Sequence, residues 1–126
     1  MIGDILRRKA PRNALDLGTG SAVLAIAVAR LARIPVLATD IDPVAVDVAR
    51  ANVRANGVAA RVRTEVAIGF NGPAFADGAC FDLIVANILA GPLMRLAPAM
   101  ERRLERGGDI IPVSYTHLTL PTTPYV

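Results

Sequence analysis

At 126 residues, 53% of them apolar, the chain is one domain at most and has enough apolar side chains to bury a core rather than remain a disordered tail. It has no apolar run of bilayer length and no signal-peptide pattern at its start, so a soluble, cytoplasmic protein is expected; the single cysteine, Cys80, excludes an internal disulfide and a cysteine-rich zinc site. The formal charge of +3 favours an acidic partner only weakly, because the arginines are scattered and aromatics to stack on bases are few, so no direct nucleic-acid contact is expected.

In chain order, residues Ile2 to Lys9 suit a short helix that Pro11 ends. Ala14 to Leu17 is a short buried strand, followed by Gly18 and Gly20, which supply a sharp turn and let a ligand approach the main chain. A helix follows, with Val23, Ala27, Arg30 and Leu31 at helical spacing in a segment apolar almost all round. This strand, turn and helix form a cradle for a nucleotide-type cofactor, and two readings compete for it. The dinucleotide fingerprint wants a third glycine or alanine where this chain has Val23, and it has no acid two residues before its first glycine. Asp16-Leu17-Gly18-Thr19-Gly20 instead resembles motif I of the class I methyltransferases, which implies a methyl donor rather than a nicotinamide.

Residues 35–39 carry the second strand, which ends at Asp40, twenty residues beyond Gly20. A carboxylate at that strand tip can accept both hydroxyl protons of a ribose. Asp42 before Pro43 reads as a helix N-cap. In the helix that follows, Val44, Val48, Ala51 and Ala55 share one face and Asp47, Arg50 and Arg54 a solvated one, and Asn56-Gly57 stops it. Residues 61–66 alternate as a third strand near the sheet edge. Gly69, Gly72, Pro73 and Gly78 mark turns, among which Asp77 is a candidate adenine contact and, more simply, a turn residue.

Phe81 to Ala86 is the fourth strand and delivers Asn87 at its carboxyl end, where open parallel sheets bind ligands. Asn87-Ile88-Leu89-Ala90 stands where amino-group methyltransferases carry Asn-Pro-Pro and an aromatic residue. Ile88-Leu89 cannot aim backbone carbonyls as two prolines do, yet the Asn87 amide can still accept a hydrogen bond from an amine and orient its lone pair. Leu93, Leu96, Ala97, Met100 and Leu104 form a core stripe on a helix expected to end at Gly107-Gly108. Ile110 and Ile111 then open a fifth strand that Pro112 is expected to interrupt, leaving Leu83 and Val85 short of a neighbour.

Together, Asp16 to Ser21, Asp40-Ile41-Asp42-Pro43, Asn56-Gly57 and Val85 to Leu93 resemble the PrmA family, which methylates amino groups on the eleventh protein of the large ribosomal subunit. The resemblance runs from about residue 12 to 111 and implies a Rossmann-like class I methyltransferase fold. That is an α/β open parallel sheet flanked by helices, here truncated after about strand five. It implies S-adenosyl-L-methionine as cofactor, no metal, and a large-subunit ribosomal protein as partner. Asp16, Gly18 and Gly20 would line the methionine portion of the donor, Asp40 its ribose and Ile41 a face of the adenine, with Thr19 among the donor-binding residues. Asn87 would stand at the boundary of donor and substrate amine, both as a donor contact and as the catalytic residue. Ala22 departs from the family's usual glycine. The family's separate recognition domain and its Phe-Gly-Thr-Gly-His-type segment before motif I are not in this chain, so the fragment is expected to be inactive alone. Another class I amino-group methyltransferase, acting on protein glutamine or nucleic acid, or a NAD-binding oxidoreductase, are the alternatives.

Beyond Pro112 arginine vanishes while threonine and proline accumulate. Val-Ser-Tyr-Thr-His-Leu is what GTC TCT TAT ACA CAT CTN encodes, a string that resembles the transposon end used in preparing sequencing libraries. Residues 1–112 are therefore read as a partial methyltransferase domain and 113–126 as an adaptor-derived tail, with a natural Thr/Pro-rich tail as the alternative.

Overall fold

The computed structural model describes residues 10–113. The strands are β1 (Ala14–Leu17), β2 (Val36–Asp40), β3 (Val62–Val66), β4 (Phe81–Ala86) and β5 (Leu104–Pro112), with helices α1 (Val23–Ala32), α2 (Pro43–Ala55) and α3 (Ala90–Arg102) between them. All neighbours pair parallel, in the order β3-β2-β1-β4-β5. The order reverses beside β1, so the carboxyl ends of β1 and β4 open the crevice in which such sheets bind ligands. The expected helix from Ile2 to Lys9 and the sequence from Ser114 onward lie outside the described residues.

β1 and the last four residues of β4 are buried throughout, as befits strands covered on both faces. One face gathers Val28 and Ala29 of α1 and Ala49 and Val53 of α2 into one cluster with Val36, Val62, Leu83 and Val85 of the sheet. The other packs Leu15, Leu17 and Ile84 against Met100 of α3 and against Phe75 and Phe81. The crossover from β3 to β4 contains no α-helix, only a single 3-10 turn at Pro73–Phe75. All three phenylalanines of the chain gather there: Phe70 meets Phe75 edge-on at 5.1 Å and Phe75 meets Phe81 at 6.3 Å. The Arg103 guanidinium caps this stack, 5.4 Å from the Phe75 ring centre, and donates to the Phe75 and Ala79 carbonyls at 3.1 and 3.2 Å.

Several helical expectations are corrected. In α2 the buried residues are Val46, Ala49 and Val53, whereas Val44 is 67% and Val48 47% exposed and Ala51 and Ala55 face water. In α1 the sheet takes Ala25, Ile26, Val28 and Ala29, leaving Val23 and Leu31 largely exposed. Both helices carry apolar residues on more than one face, so spacing alone does not say which face meets the sheet. The Asp42 cap holds, its Oδ1 accepting from the Val44 amide at 2.9 Å with Pro43 in the first turn.

The third helix stops at Arg102 rather than at Gly107-Gly108, and Leu104 already belongs to β5. The two glycines lie inside that strand, at an irregularity in its pairing with β4: Gly107 has φ +80°, and a Cβ on Gly108 would come within 2.7 Å of the Asp82 carbonyl oxygen. Nor does Pro112 interrupt the ladder. It pairs with Ala86, and the Val113 amide goes on to donate to the Ala86 carbonyl at 2.8 Å. In a parallel pair alternate amides point away from the partner strand, so a proline on this edge strand forfeits no bond to β4. Leu83 and Val85 keep their neighbour, and Val113, expected to add nothing, packs against the core.

Candidate functional site

β1 delivers the chain into a turn at Gly18 (φ +78°) and Gly20 (φ +56°), the region of backbone space that favours glycine. The Thr39 carbonyl at the tip of β2 accepts from both the Gly18 and Thr19 amides, at 2.9 and 2.8 Å. Asp40 completes the clasp: its Oδ2 accepts from the Gly20 amide at 2.9 Å and its Oδ1 from the Asp42 amide at 3.0 Å. Asp40 therefore shapes the turn. With about four lone-pair sites, the carboxylate retains capacity for two hydroxyl protons.

Behind the turn, Asp16 is 2% exposed. Its Oδ2 accepts from the Thr19 hydroxyl at 2.7 Å, and its Oδ1 is buried with no hydrogen-bond partner. Burial pushes this carboxyl up to about 6; the Thr19 bond and the Ala25 amide in the first turn of α1 oppose that shift, and the nearby Asp40 charge adds to it. A buried carboxylate with one oxygen unmatched is stabilised by a cation, which is what the ammonium end of a methionine-derived donor supplies.

Asn87 follows β4, its amide donating to the Leu17 carbonyl at 2.8 Å. A cavity of about 330 Å³ lies between these strand ends, with Thr39, Asp40 and Asn87 as its polar lining and Leu17, Ala67 and Leu96 among its apolar lining. Ile41 also lines it, 62% exposed and apolar. A larger hollow of about 520 Å³ opens at the amino ends of the strands, beside Ala14, Val36 and Phe81. It holds no carboxylate and lies at the end of the sheet away from the glycine turn, so the smaller cavity is the candidate site.

The fold thus brings Gly18, Thr19, Gly20, Asp40, Ile41 and Asn87 to one end of the sheet, with Asp16 directly beneath. Asp77 is exposed and is not part of the cavity wall, which Ala67 and Gly69 supply instead. Thr39 and Asn52 escaped sequence reading because they act through a main-chain oxygen and a long-range contact, respectively. The Asn52 amide donates to the Ser21 carbonyl at 2.9 Å, across 31 residues of sequence. Among the described residues no cluster of three or more His, Cys, Asp or Glu is placed to hold a metal ion, and no helix is long and apolar enough to cross a membrane.

The sequence model of the ribosomal protein L11 methyltransferase (PrmA) family matches residues 4–114. The chain belongs to this family. It is 68% identical over 111 residues to the ribosomal protein L11 methyltransferase of Chelativorans sp. (strain BNC1) and 66% identical over 111 residues to that of Mesorhizobium japonicum. In each case the match covers 88% of this chain and 38% of the relative, so the chain spans well under half the length of its curated relatives. Among solved structures it is similar to a ribosomal protein L11 methylase from Lactobacillus delbrueckii subsp. bulgaricus. The TM-score is 0.72 at 36% identity, covering 89% of this chain and 56% of that one. The one departure noted in motif I, Ala22 for the family's usual glycine, has a backbone meaning. Ala22 stands at φ +71°, ψ +18° with its side chain wholly buried, so the cost is a left-handed conformation, about 1–2 kcal/mol for a residue with a Cβ, rather than a crowded helix start.

Proposed function

We propose that this chain holds the methyl-donor site of an S-adenosyl-L-methionine-dependent methyltransferase that acts on amino groups of ribosomal protein L11. The observation that carries this reading is the convergence of Asp16, the Gly18–Gly20 turn, Asp40 and Asn87 on one end of the sheet. When bound, the donor supplies a methyl group already activated by a sulfonium, so the protein needs to position more than to move protons. The Asp40 carboxylate accepts the ribose hydroxyls, Asp16 offsets the ammonium charge, and Ile41 offers an apolar face to the adenine. Asn87, the catalytic residue in this reading, accepts a hydrogen bond from the substrate amine through its side-chain carbonyl and so aims the nitrogen lone pair. A ribosomal-protein substrate puts the reaction in the cytoplasm.

A NAD site is disfavoured by Asp16, which the dinucleotide fingerprint lacks, more than by Val23, whose side chain is 53% exposed and so does not narrow the helix–sheet contact. Calorimetric titration of the 126-residue chain should show binding of S-adenosylhomocysteine and none of NAD; the reverse preference would overturn the donor assignment. Asp40→Ala should weaken that binding by about 1.5–3 kcal/mol for each charge-assisted bond lost. In a full-length relative, alanine at the equivalent of Asn87 should depress methyl transfer strongly while donor affinity stays within a few-fold. Unchanged turnover would return this asparagine to a structural role. The 126-residue chain itself should show little or no turnover on the ribosomal protein.

A further inference from the structure

We infer that Asn52, half-buried on α2, is a positioning residue for the donor cradle: it holds the Ser21–Ala22 peptide in the orientation that keeps Ala22 left-handed. The inference rests on the donor reading above. Both ends of this one peptide unit are tied. Its N–H, from Ala22, donates to the Thr19 carbonyl at 2.9 Å, and its C=O, from Ser21, accepts from the Asn52 side-chain amide at 2.9 Å. The Ser21 carbonyl lies one residue before the carbonyl of Ala22, which accepts the first bond of α1 from the Ile26 amide at 2.9 Å.

Rotation of a peptide unit changes ψ of the residue before it and φ of the residue after it together. Turning the Ser21 carbonyl away from α2 is therefore the movement that takes Ala22 out of φ +71° toward the region an alanine prefers. Glycine at this position needs no such restraint, because it occupies either region at little cost. Alanine does need it, and Asn52 supplies it from α2. Asn52 is itself held, since its backbone carbonyl accepts from the Asn56 amide at 3.0 Å and from the Asn56 side chain at 2.8 Å. The adjoining Gly20 amide is clasped by Asp40, so a turned Ser21–Ala22 peptide would be transmitted directly to the residue that presents Asp40 to the ribose.

The test is calorimetric titration of S-adenosylhomocysteine into the full 126-residue chain as wild type, Asn52→Ala, Asn52→Asp, and Asn52→Ala with Ala22→Gly. Loss of one hydrogen bond that holds the cradle should weaken binding about three- to tenfold in both single variants, since neither alanine nor aspartate can donate. Ala22→Gly should recover most of that loss in the Asn52→Ala background, a rescue that general loosening of α2 would not produce. Wild-type affinity in Asn52→Ala overturns the inference, as does a weakened Asn52→Ala that glycine at position 22 fails to rescue. Absence of donor binding in the wild type overturns the donor reading itself and this role with it.

Discussion

Gly18 and the main chain of Asn87 are in direct contact: a Cβ built on Gly18 would lie 2.5 Å from the Asn87 carbonyl oxygen and 2.7 Å from Cγ2 of Ile88. The glycine turn after β1 and the segment after β4 thus close on each other through a space that admits no side chain. Gly18→Ala combines this overlap with a strained φ and should cost about 2–5 kcal/mol of folding stability. At Gly20 a Cβ meets nothing within 4 Å, so Gly20→Ala should cost only the conformational part, about 1–2 kcal/mol. Urea denaturation of the two variants distinguishes them, and equal losses would show that the Gly18–Asn87 contact is not tight.

Asp16 should make stability depend on pH in an unusual direction. Its folded pKa of about 6 exceeds the ordinary 3.8, so the folded state binds this proton more tightly than the unfolded state does. Its contribution is favourable at low pH and is lost as pH rises from about 3.8 to about 6, a loss of roughly 3 kcal/mol at about 1.4 kcal/mol per unit. Asp16→Asn should flatten that part of the pH–stability curve and raise stability at pH 7 while weakening donor binding. In the wild type, donor affinity should fall as pH drops below about 6, because the proton competes with the ammonium. An unchanged stability slope in Asp16→Asn would remove Asp16 as its source.

Arg103 should be hard to replace even by lysine. Its planar guanidinium donates to two carbonyls of the β3–β4 crossover while lying against Phe70 and Phe75, and lysine cannot match that geometry. Arg103→Lys should cost about 1–3 kcal/mol, one or two hydrogen bonds' worth, and should speed amide exchange between residues 70 and 79 ahead of the rest of the chain. Uniform exchange across the sheet would show that the arginine does not act on the crossover in particular.

The end of β5 sets a sharp boundary for truncation. A chain cut after Val113 keeps the bond from the Val113 amide to Ala86, whereas one cut after Ile111 loses it together with the Val113 packing. Melting curves should therefore place the shorter chain several degrees below the longer one, as about 1 kcal/mol does in a domain of this size. Equal midpoints would mean that Val113 contributes nothing.

The sequence by itself determined the order of elements, the limits of β1 and β4, the Asp42-Pro43 start of α2 and the glycine turn that follows β1. Each is a local signal: an apolar run, a cap beside a proline, or a glycine needed for a positive φ within a few residues of the acid it serves. Tertiary structure decided which face of α2 is buried, because Val44 and Val46 are equally apolar and only the position of the sheet chooses Val46. It likewise turned Leu104 from the last residue of a helical stripe into the first of β5, where Phe81 pairs with it. The Thr39 carbonyl, the Asn52 tether and the Gly18–Asn87 contact share the same cause. Their partners lie from 20 to 69 residues away in the chain, and a hydrogen bond or a close approach across that distance leaves no periodicity for sequence reading to find.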